Sequence, residues 1–270
     1  MEERGLAAFG YDRRMSMKGK IVFITGASSG IGAATALAFA AEGARLLICA
    51  RRMDKLAEVA SAAHDRGAEA VHTFVLDVRD PAAVEKAIAE LPPEWSAIDV
   101  LVNNAGLSRG LEKLYMGKIE DWDEMIDTNV KGLLYVTRAV VPGMVERGRG
   151  HVVNLGSTAG ELAYPNGAVY CGTKAAERLI NDGLRQDVLG TPVRVTSVDP
   201  GMVETDFSLV RFRGDTERAA KVYKGVKPLT PEDVAEVIVW AAMRPAHVNI
   251  ARVSMTTVHQ ANSILFHRES

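Results

Sequence analysis

Tyr170 and Lys174 are spaced so that they could act together as an acid/base pair. Residues four apart on a helix lie on one face, so the phenol and the ammonium would be within electrostatic reach of each other. A free tyrosine has a pKa of about 10, and a fixed neighbouring cation favours its phenolate form. The spacing therefore predicts a tyrosine that exchanges a proton near neutral pH, although the same spacing also arises by chance in many helices.

A serine hydroxyl is expected beside this pair. Ser157 follows an apolar run at 151–155, and such a run predicts a buried strand that leads into a turn of small residues. Ligands of open parallel sheets bind at the carboxyl ends of the strands. We therefore expect Ser157 to lie at the edge of the sheet where a substrate would bind.

A glycine-rich turn indicates a nucleotide site. Residues 25–32 read TGASSGIG, directly after an apolar run and directly before a helical stretch. A strand, a turn and a helix in this order bring backbone N–H groups and the positive helix end to one place, which suits a pyrophosphate. Gly26, Gly30 and Gly32 are spaced G-x-x-x-G-x-G, which departs from the G-x-G-x-x-G fingerprint, but the strand and helix context of that fingerprint is present.

The end of the second predicted strand bears on the choice of nucleotide. NAD-binding sheets usually place an acidic residue there, on the ribose 2′-hydroxyl. This chain has Ala50, Arg51 and Arg52 at that place and no acid. Arginine binds a 2′-phosphate through charge-assisted hydrogen bonds, so NADP is predicted over NAD. The alternative is that both arginines are solvated charges at the start of a helix.

Alternating apolar and amphipathic segments predict an α/β fold, a single-domain Rossmann-type doubly wound parallel sheet of about seven strands. We expect this domain to span 17–270 and residues 1–16 to form a disordered extension. The polar stretch 202–230 is predicted to be a long loop that acts as a lid or binding loop. The predicted strands lie near 21–25, 45–50, 70–75, 98–102, 151–155, 193–198 and 250–256, and the predicted helices near 31–42, 53–66, 81–90, 121–147, 168–189 and 231–243.

Composition excludes several classes of function. The 270 residues carry a net charge of −2, and no apolar stretch approaches the roughly 20 residues that span a bilayer. We therefore expect a soluble enzyme without nucleic-acid or membrane partners. The two cysteines form no disulfide framework, which favours a reduced compartment, the cytoplasm. The six histidines show no ligand spacing with one another, so no metal site is predicted.

Several ordered motifs resemble the short-chain dehydrogenase/reductase family. They are TGASSGIG, LDV at 76–78, NNAG at 103–106, Asn129 within DTNVKG, Ser157, Tyr170 with Lys174, and DPG at 199–201. The resemblance covers essentially the whole chain from Lys20 onward. Asp199 stands where the family more often has asparagine, and the backbone turn at this place should survive that change.

The resemblance implies roles for the site residues. Tyr170 would exchange a proton with the substrate oxygen, and Ser157 would donate a hydrogen bond to that oxygen. Lys174 would bind the nicotinamide ribose and lower the tyrosine pKa, and Asn129 would hold a water that links Lys174 to solvent. The expected cofactor-binding residues, with the two arginines added from the argument above, are Gly26, Ser28, Ser29, Gly30, Ile31, Gly32, Arg51, Arg52, Asp77, Val78, Asn104, Ala105, Gly106, Tyr170, Lys174, Pro200, Gly201, Val203 and Thr205.

Longer segments resemble one branch of the family. LTPEDV at 229–234 and PAHVNI at 245–250 are similar to the branch of NADP-dependent 3-hydroxy acid dehydrogenases, also described as serine 3-dehydrogenases and malonic semialdehyde reductases. The resemblance implies that serine, allo-threonine or 3-hydroxypropionate is interconverted with its 3-oxo acid or semialdehyde. Three alternatives stay open: a sulfoacetaldehyde reductase, a carbonyl reductase of the 3-ketoacyl type, and an NADP-binding regulatory protein without turnover.

A small anionic substrate needs a cationic anchor. It has little apolar surface to bury, so its carboxylate must supply most of the orientation, and the arginine fork suits that group. Arg211 lies in the predicted lid, Arg213 is the alternative anchor, and Tyr164 and Gln260 are expected to assist. By resemblance, the chain is also expected to form a homotetramer through its helices at 122–145 and 168–188, with the segment 135–144 as apolar contact surface.

Overall fold

Seven short strands form one parallel sheet in the structure, a computed structural model that describes residues 15–269. The five inner strands are largely buried on both faces, as is usual in all-parallel sheets, and the two edge strands are partly exposed. The strands are β1 (Ile21–Thr25), β2 (Arg45–Ala50), β3 (Ala70–Val75), β4 (Val100–Asn103), β5 (Gly150–Leu155), β6 (Val193–Pro200) and β7 (Arg252–Met255). Their order is β3-β2-β1-β4-β5-β6-β7, so the order in which the chain adds strands reverses between β1 and β4, which pair in parallel. The predicted doubly wound fold of about seven strands is confirmed.

Helices cover both faces of this sheet because alternate side chains of each strand point to opposite sides. Within β1, for example, Val22 and Ile24 join the core beneath one helical layer, while Ile21 and Phe23 join the core beneath the other. The helices are α1 (Gly30–Ala41), α2 (Met53–Asp65), α3 (Pro81–Ala89), α4 (Ile119–Ile126), α5 (Leu133–Glu146), α6 (Ala168–Asp187), α7 (Phe207–Arg211), α8 (Thr216–Tyr223) and α9 (Pro231–Ala242). Core residues of α1, α2 and α9 share the first layer, and those of α3, α5 and α6 share the second.

Two parts of the chain differ from the sequence prediction. The helix predicted over 121–147 begins at Ile119 as α4 and passes through a π-helical segment, Asp127–Gly132, before α5. Segments of this kind occur frequently at functional sites. The stretch 202–230 is not one loop, because α7 and α8 form within it; the Asp215 side chain accepts a hydrogen bond from the Arg218 backbone and so begins α8.

The beginning of the chain is described only in part. Of the predicted extension 1–16, residues 1–14 lie outside the described residues. The Met15 backbone N–H donates to the Met243 carbonyl at 2.8 Å, and Met17 is buried. Across residues 15–269, no helix has the length and apolar character needed to cross a membrane.

Candidate active site

The carboxyl ends of β1, β4, β5 and β6 converge on one cavity of about 220 Å³. This is the edge where the strand order reverses, the usual ligand site of such sheets. The predicted acid/base pair, Ser157 and much of the predicted cofactor set meet here. The predicted residues that line the cavity are Gly26, Ser29, Ile31, Asn104, Ala105, Gly106, Ser157, Tyr170, Lys174, Pro200, Gly201, Val203 and Thr205.

The glycine-rich turn forms a cradle at the start of α1. Ser29 is the N-cap residue, but its side chain makes no capping hydrogen bond, so it leaves the first backbone N–H groups of the helix without a side-chain partner. The Asn104 amide donates to the Thr25 carbonyl at 2.8 Å and to the Gly26 carbonyl at 3.1 Å. A Cβ atom on Gly32 would collide with that amide and with the Gly26 carbonyl. The turn is therefore held close to the β4 end, with geometry that fits a dinucleotide pyrophosphate.

A second cavity of about 460 Å³ continues from the glycine-rich turn toward the end of β2. Arg51, Arg52, Ser28, Asp77 and Val78 line it, as the cofactor prediction requires of the adenosine half. The Arg52 Nη2 lies 3.2 Å from Ser29 Oγ and 3.5 Å from Ser28 Oγ. Within residues 15–269, neither of these arginines forms a salt bridge. Their free charge fits a 2′-phosphate better than a 2′-hydroxyl.

Asp77 is engaged by a neighbouring arginine at the rim of this cavity. Its carboxylate accepts hydrogen bonds from Arg79 Nε at 2.9 and 3.0 Å and pairs with Arg79 Nη2 at 2.5 Å. Hydrogen bonding to Arg79 holds the Asp77 pKa below its ordinary value. The carboxylate is thus fixed in its charged form as an acceptor, and its contact with the cofactor stays a prediction.

The arginine at the end of β2 gives a test of cofactor choice. We expect Arg52→Asp to lower kcat/KM for NADPH strongly and to shift preference toward NADH, because the change removes an attraction and adds a repulsion. The preference ratio from initial rates with both nucleotides checks this result. Arg66→Asp, at the far end of α2, is the matched control and should leave the ratio unchanged. An unchanged ratio in Arg52→Asp would place the phosphate contact elsewhere.

Tyr170 lies near the start of α6, and Ser157 faces it from the turn after β5. The Ser157 Oγ accepts a hydrogen bond from the Ala159 backbone at 3.1 Å, which fixes the hydroxyl at the turn. Burial raises the pKa of the Tyr170 phenol, while the Arg211 guanidinium and the Ser157 hydroxyl oppose that rise. The rings of Phe207 and Tyr170 pack edge to face, with 5.4 Å between the ring centroids.

Lys174 is buried one helical turn after Tyr170. Its Nζ donates to the Leu155 carbonyl at 2.5 Å, which ties the ammonium to the end of β5. Burial lowers the Lys174 pKa, and the carboxylates of Glu177 and Asp199 oppose that effect. The cation with the largest effect on the Tyr170 pKa is Arg211, whereas sequence reasoning gave this role to Lys174.

Asn129 occupies the π-helical segment and ties two parts of the site together. Its Oδ1 accepts from the Leu107 backbone at 2.8 Å, and its Nδ2 donates to the Leu107 carbonyl at 2.8 Å and to Thr173 Oγ1 at 3.0 Å. Both amide hydrogens are engaged by protein, so the side chain fixes the turn after β4 to α6. Its role toward a water stays a prediction.

Arg211 ends α7 with its guanidinium buried over the site. Its Nη2 donates to the Tyr164 hydroxyl at 2.6 Å and its Nε to Ser108 Oγ at 3.0 Å. The guanidinium carbon lies 5.4 Å from the centre of the Tyr170 ring. Only 9% of the residue is exposed, and none of the carboxylates in the described part of the chain pairs with it. A buried guanidinium without an acidic partner is costly and suits an incoming anion.

Ser108 is a site residue that sequence reasoning missed. It is 1% exposed and accepts from Arg211 across the cleft. Its position two residues after the NNAG turn was the available signal, because that turn ends a strand at the ligand edge of the sheet. Arg213, the alternative anchor, pairs instead with Asp121 and lines the second cavity rather than the one at Tyr170.

Gln260 does not stand free for a substrate. Its Oε1 accepts from the Met202 backbone at 2.8 Å, and its Nε2 donates to the Asn262 carbonyl at 3.1 Å. A Cβ atom on Gly201 would collide with this amide. The geometry gives Gln260 a structural task, which is to fasten the C-terminal segment against the turn after β6. Its contact with substrate stays a prediction.

Comparison with known proteins agrees with this geometry. The profile of the family described as short chain dehydrogenase matches residues 20–214. The chain belongs to the short-chain dehydrogenase family. It is 51% identical over 242 residues to the NADP-dependent 3-hydroxy acid dehydrogenase of Salmonella typhi, covering 89% of this chain and 96% of that protein. It is 43% identical over 248 residues to the NADP-dependent 3-hydroxy acid dehydrogenase of Schizosaccharomyces pombe, with 92% and 96% covered.

Solved structures extend the likeness to the fold. A closed form of serine dehydrogenase complexed with NADP+ superposes with a TM-score of 0.87 and is 47% identical, over 92% of this chain and all of that one. Serine dehydrogenase from Escherichia coli superposes with a TM-score of 0.77 and is 44% identical, over 89% and 99% of the two chains.

Proposed function

We propose that this protein is an NADP(H)-dependent oxidoreductase that interconverts a small 3-hydroxy acid with its 3-oxo acid or semialdehyde. The substrates expected are serine, allo-threonine and 3-hydroxypropionate, or the matching oxo compounds. The relatives named as NADP-dependent 3-hydroxy acid dehydrogenases support this class. The free arginines at the end of β2 support NADP as the cofactor.

The observation that carries the proposal is the buried guanidinium of Arg211 beside the Tyr170 ring. A substrate whose reacting oxygen meets Tyr170 and Ser157 would hold its carboxylate within reach of this cation. Tyr164 and Ser108 already fix the guanidinium, so little side-chain entropy is lost on binding. A neutral substrate would leave this charge buried and unpaired.

Reduction by these residues requires a proton at the carbonyl oxygen. Bound NADPH supplies the hydride. The Tyr170 hydroxyl gives its proton to the oxygen as charge develops there, and the Ser157 hydroxyl donates a hydrogen bond to the same atom. Lys174 places positive charge on the same face of α6, and this charge favours the Tyr170 phenolate that remains after the proton has been given up. The same groups act in reverse when the hydroxy acid is oxidised.

NADPH consumption with a panel of carbonyl compounds tests the proposal. Malonic semialdehyde should be reduced with a higher kcat/KM than sulfoacetaldehyde or an acetoacetyl thioester. Preference for sulfoacetaldehyde would indicate a sulfoacetaldehyde reductase in which Arg211 binds the sulfonate. Preference for the thioester would indicate a reductase of the 3-ketoacyl type. Consumption with none of the three would contradict the proposal and favour a protein that binds NADP without turnover.

We also expect a homotetramer, although the contact surface we propose between copies differs from the one predicted from the sequence. Much of the apolar segment 135–144 is buried in the core, including Val136, Val140 and Met144. Leu134 on α5 and Leu179 on α6 are exposed instead and would form the contact between copies. Sedimentation velocity at micromolar concentration should show a tetramer, and a boundary of monomer alone would contradict this expectation. We likewise propose a cytoplasmic location, which both buried free cysteines favour.

A further inference from the structure

Glu177 is a buried carboxylate behind the active site. It follows Lys174 by three residues on α6, so the two side chains share one face of the helix, with Cβ atoms roughly 5 to 6 Å apart. It is 1% exposed, and neither carboxylate oxygen has a hydrogen-bond partner among residues 15–269. A buried ionised carboxylate without hydrogen bonds is strongly destabilising unless nearby cations support it.

The surroundings of Glu177 are polar, and they form a connected cluster between α6 and the sheet. Asn181 lies one turn further along α6. Its Oδ1 accepts from Asn154 at 3.0 Å, while its Nδ2 has no acceptor in the part of the chain that the structure describes. From β6, Asp199 faces the same space with its Oδ1 bonded to Ser197 Oγ. We call Lys174, Glu177, Asp199 and Arg252 the buried charge cluster.

The buried charge cluster reaches the surface at Arg252 on β7. The Arg252 Nε lies 3.1 Å from Asp199 Oδ2, its Nη1 3.5 Å from Glu161, and its Nη2 3.9 Å from Asp182. Three charged groups face Glu177: the ammonium of Lys174 on its own helix, the carboxylate of Asp199 on β6 and the guanidinium of Arg252 on β7. The partly exposed carboxylates of Glu161 and Asp182 lie on the outer side of Arg252.

The charges of this cluster depend on one another. Burial raises the Glu177 pKa to about 7, an effect that Lys174 opposes and Asp199 reinforces. Burial also raises the Asp199 pKa, which the Ser197 hydrogen bond and Arg252 oppose. With this pKa, Glu177 is a carboxylate above about pH 7, beside the lysine to which the proposed mechanism gives a part in proton transfer.

We propose that Glu177 is a positioning residue that keeps the buried Lys174 ammonium charged during turnover. Its ionised carboxylate, one helical turn away and without a hydrogen-bond partner among residues 15–269, supplies the negative charge that burial of the ammonium requires. The inference rests on the proposed function only in giving Lys174 a part in proton transfer, and not on which hydroxy acid is the substrate.

Glu177→Gln tests this role through the pH profile. The amide keeps the size of the side chain and removes its charge, so Lys174 should lose its proton at lower pH. The alkaline limb of kcat/KM should move down by about one pH unit, measured with whichever carbonyl compound the unmodified protein reduces fastest. Glu177→Asp should restore much of the profile. Asp187→Asn, an exposed change near the end of the same helix, should leave it in place.

Two further measurements do not depend on turnover. Glu177 has a folded-state pKa above its unfolded value, so its contribution to stability is complete below about pH 4.5 and is lost as the pH rises through about 7. The melting temperature of Glu177→Gln relative to the unmodified protein should therefore rise across this window. Infrared spectra of the unmodified protein should show a buried carboxylic acid that loses its proton in the same range.

The outcomes separate the possibilities. An alkaline limb that does not move in folded Glu177→Gln, or a uniform loss of rate at every pH, would overturn the proposal. If this variant does not fold, the infrared titration decides, because a Glu177 side chain that stays a protonated carboxylic acid through the pH range of turnover would also overturn the proposal. Failure of every carbonyl substrate would instead contradict the proposed function, while the titration and the melting curves would still report on Glu177.

Discussion

Replacing Tyr170 with phenylalanine should lower kcat by roughly 100- to 10,000-fold, the usual effect of removing a general acid/base. The phenylalanine ring can still pack edge to face with Phe207, so the site should keep its shape. Only the transferable proton is lost. NADPH affinity, measured by fluorescence titration, should stay within a few fold of the unmodified protein.

The control for this change is Tyr115→Phe. Tyr115 is 79% exposed, so loss of its hydroxyl should alter neither turnover nor binding. Near-normal turnover in Tyr170→Phe would contradict the assignment of the whole site, because no other group in the described cleft combines a transferable proton with contact to Ser157. Loss of NADPH binding together with turnover would point to a folding defect, which a melting curve would reveal.

Arg211→Ala should reduce kcat/KM for an anionic substrate by roughly 10- to 160-fold. This corresponds to about 1.5 to 3 kcal/mol of transition-state binding, the usual size for hydrogen bonds to charged groups. The change also removes a cation that lowers the Tyr170 pKa, so some loss is expected with every substrate. The diagnostic quantity is therefore the ratio between a semialdehyde that carries a carboxylate and an uncharged aldehyde of similar size.

Arg213→Ala is the matched control for Arg211→Ala. It removes the same charge two residues away, where the guanidinium pairs with Asp121 and is mostly exposed, so the ratio should not change. Arg211→Lys should recover only part of the lost discrimination, because an ammonium lacks the two-pronged geometry of the guanidinium. Equal losses for the two aldehydes in Arg211→Ala would show that Arg211 does not hold the carboxylate.

Local patterns were enough to predict the framework of this protein. Apolar runs of five or six residues between amphipathic stretches predicted the strands, because strands of a parallel sheet are buried on both faces. The glycine-rich turn between β1 and α1, and the absence of an acid at the end of β2, likewise depend on neighbouring residues alone. The Tyr170 and Lys174 spacing was readable for the same reason.

Contacts between distant segments were decided only by the tertiary structure. Ser108 meets Arg211 across 103 positions of the chain, and Gln260 reaches Met202 across 58, and no local periodicity encodes such pairs. The same holds for Glu177, which the sequence analysis placed only within the helix predicted near 168–189. Its burial beside Asp199 depends on how α6 packs against β6, because a side chain's charge and pKa follow from its surroundings in space.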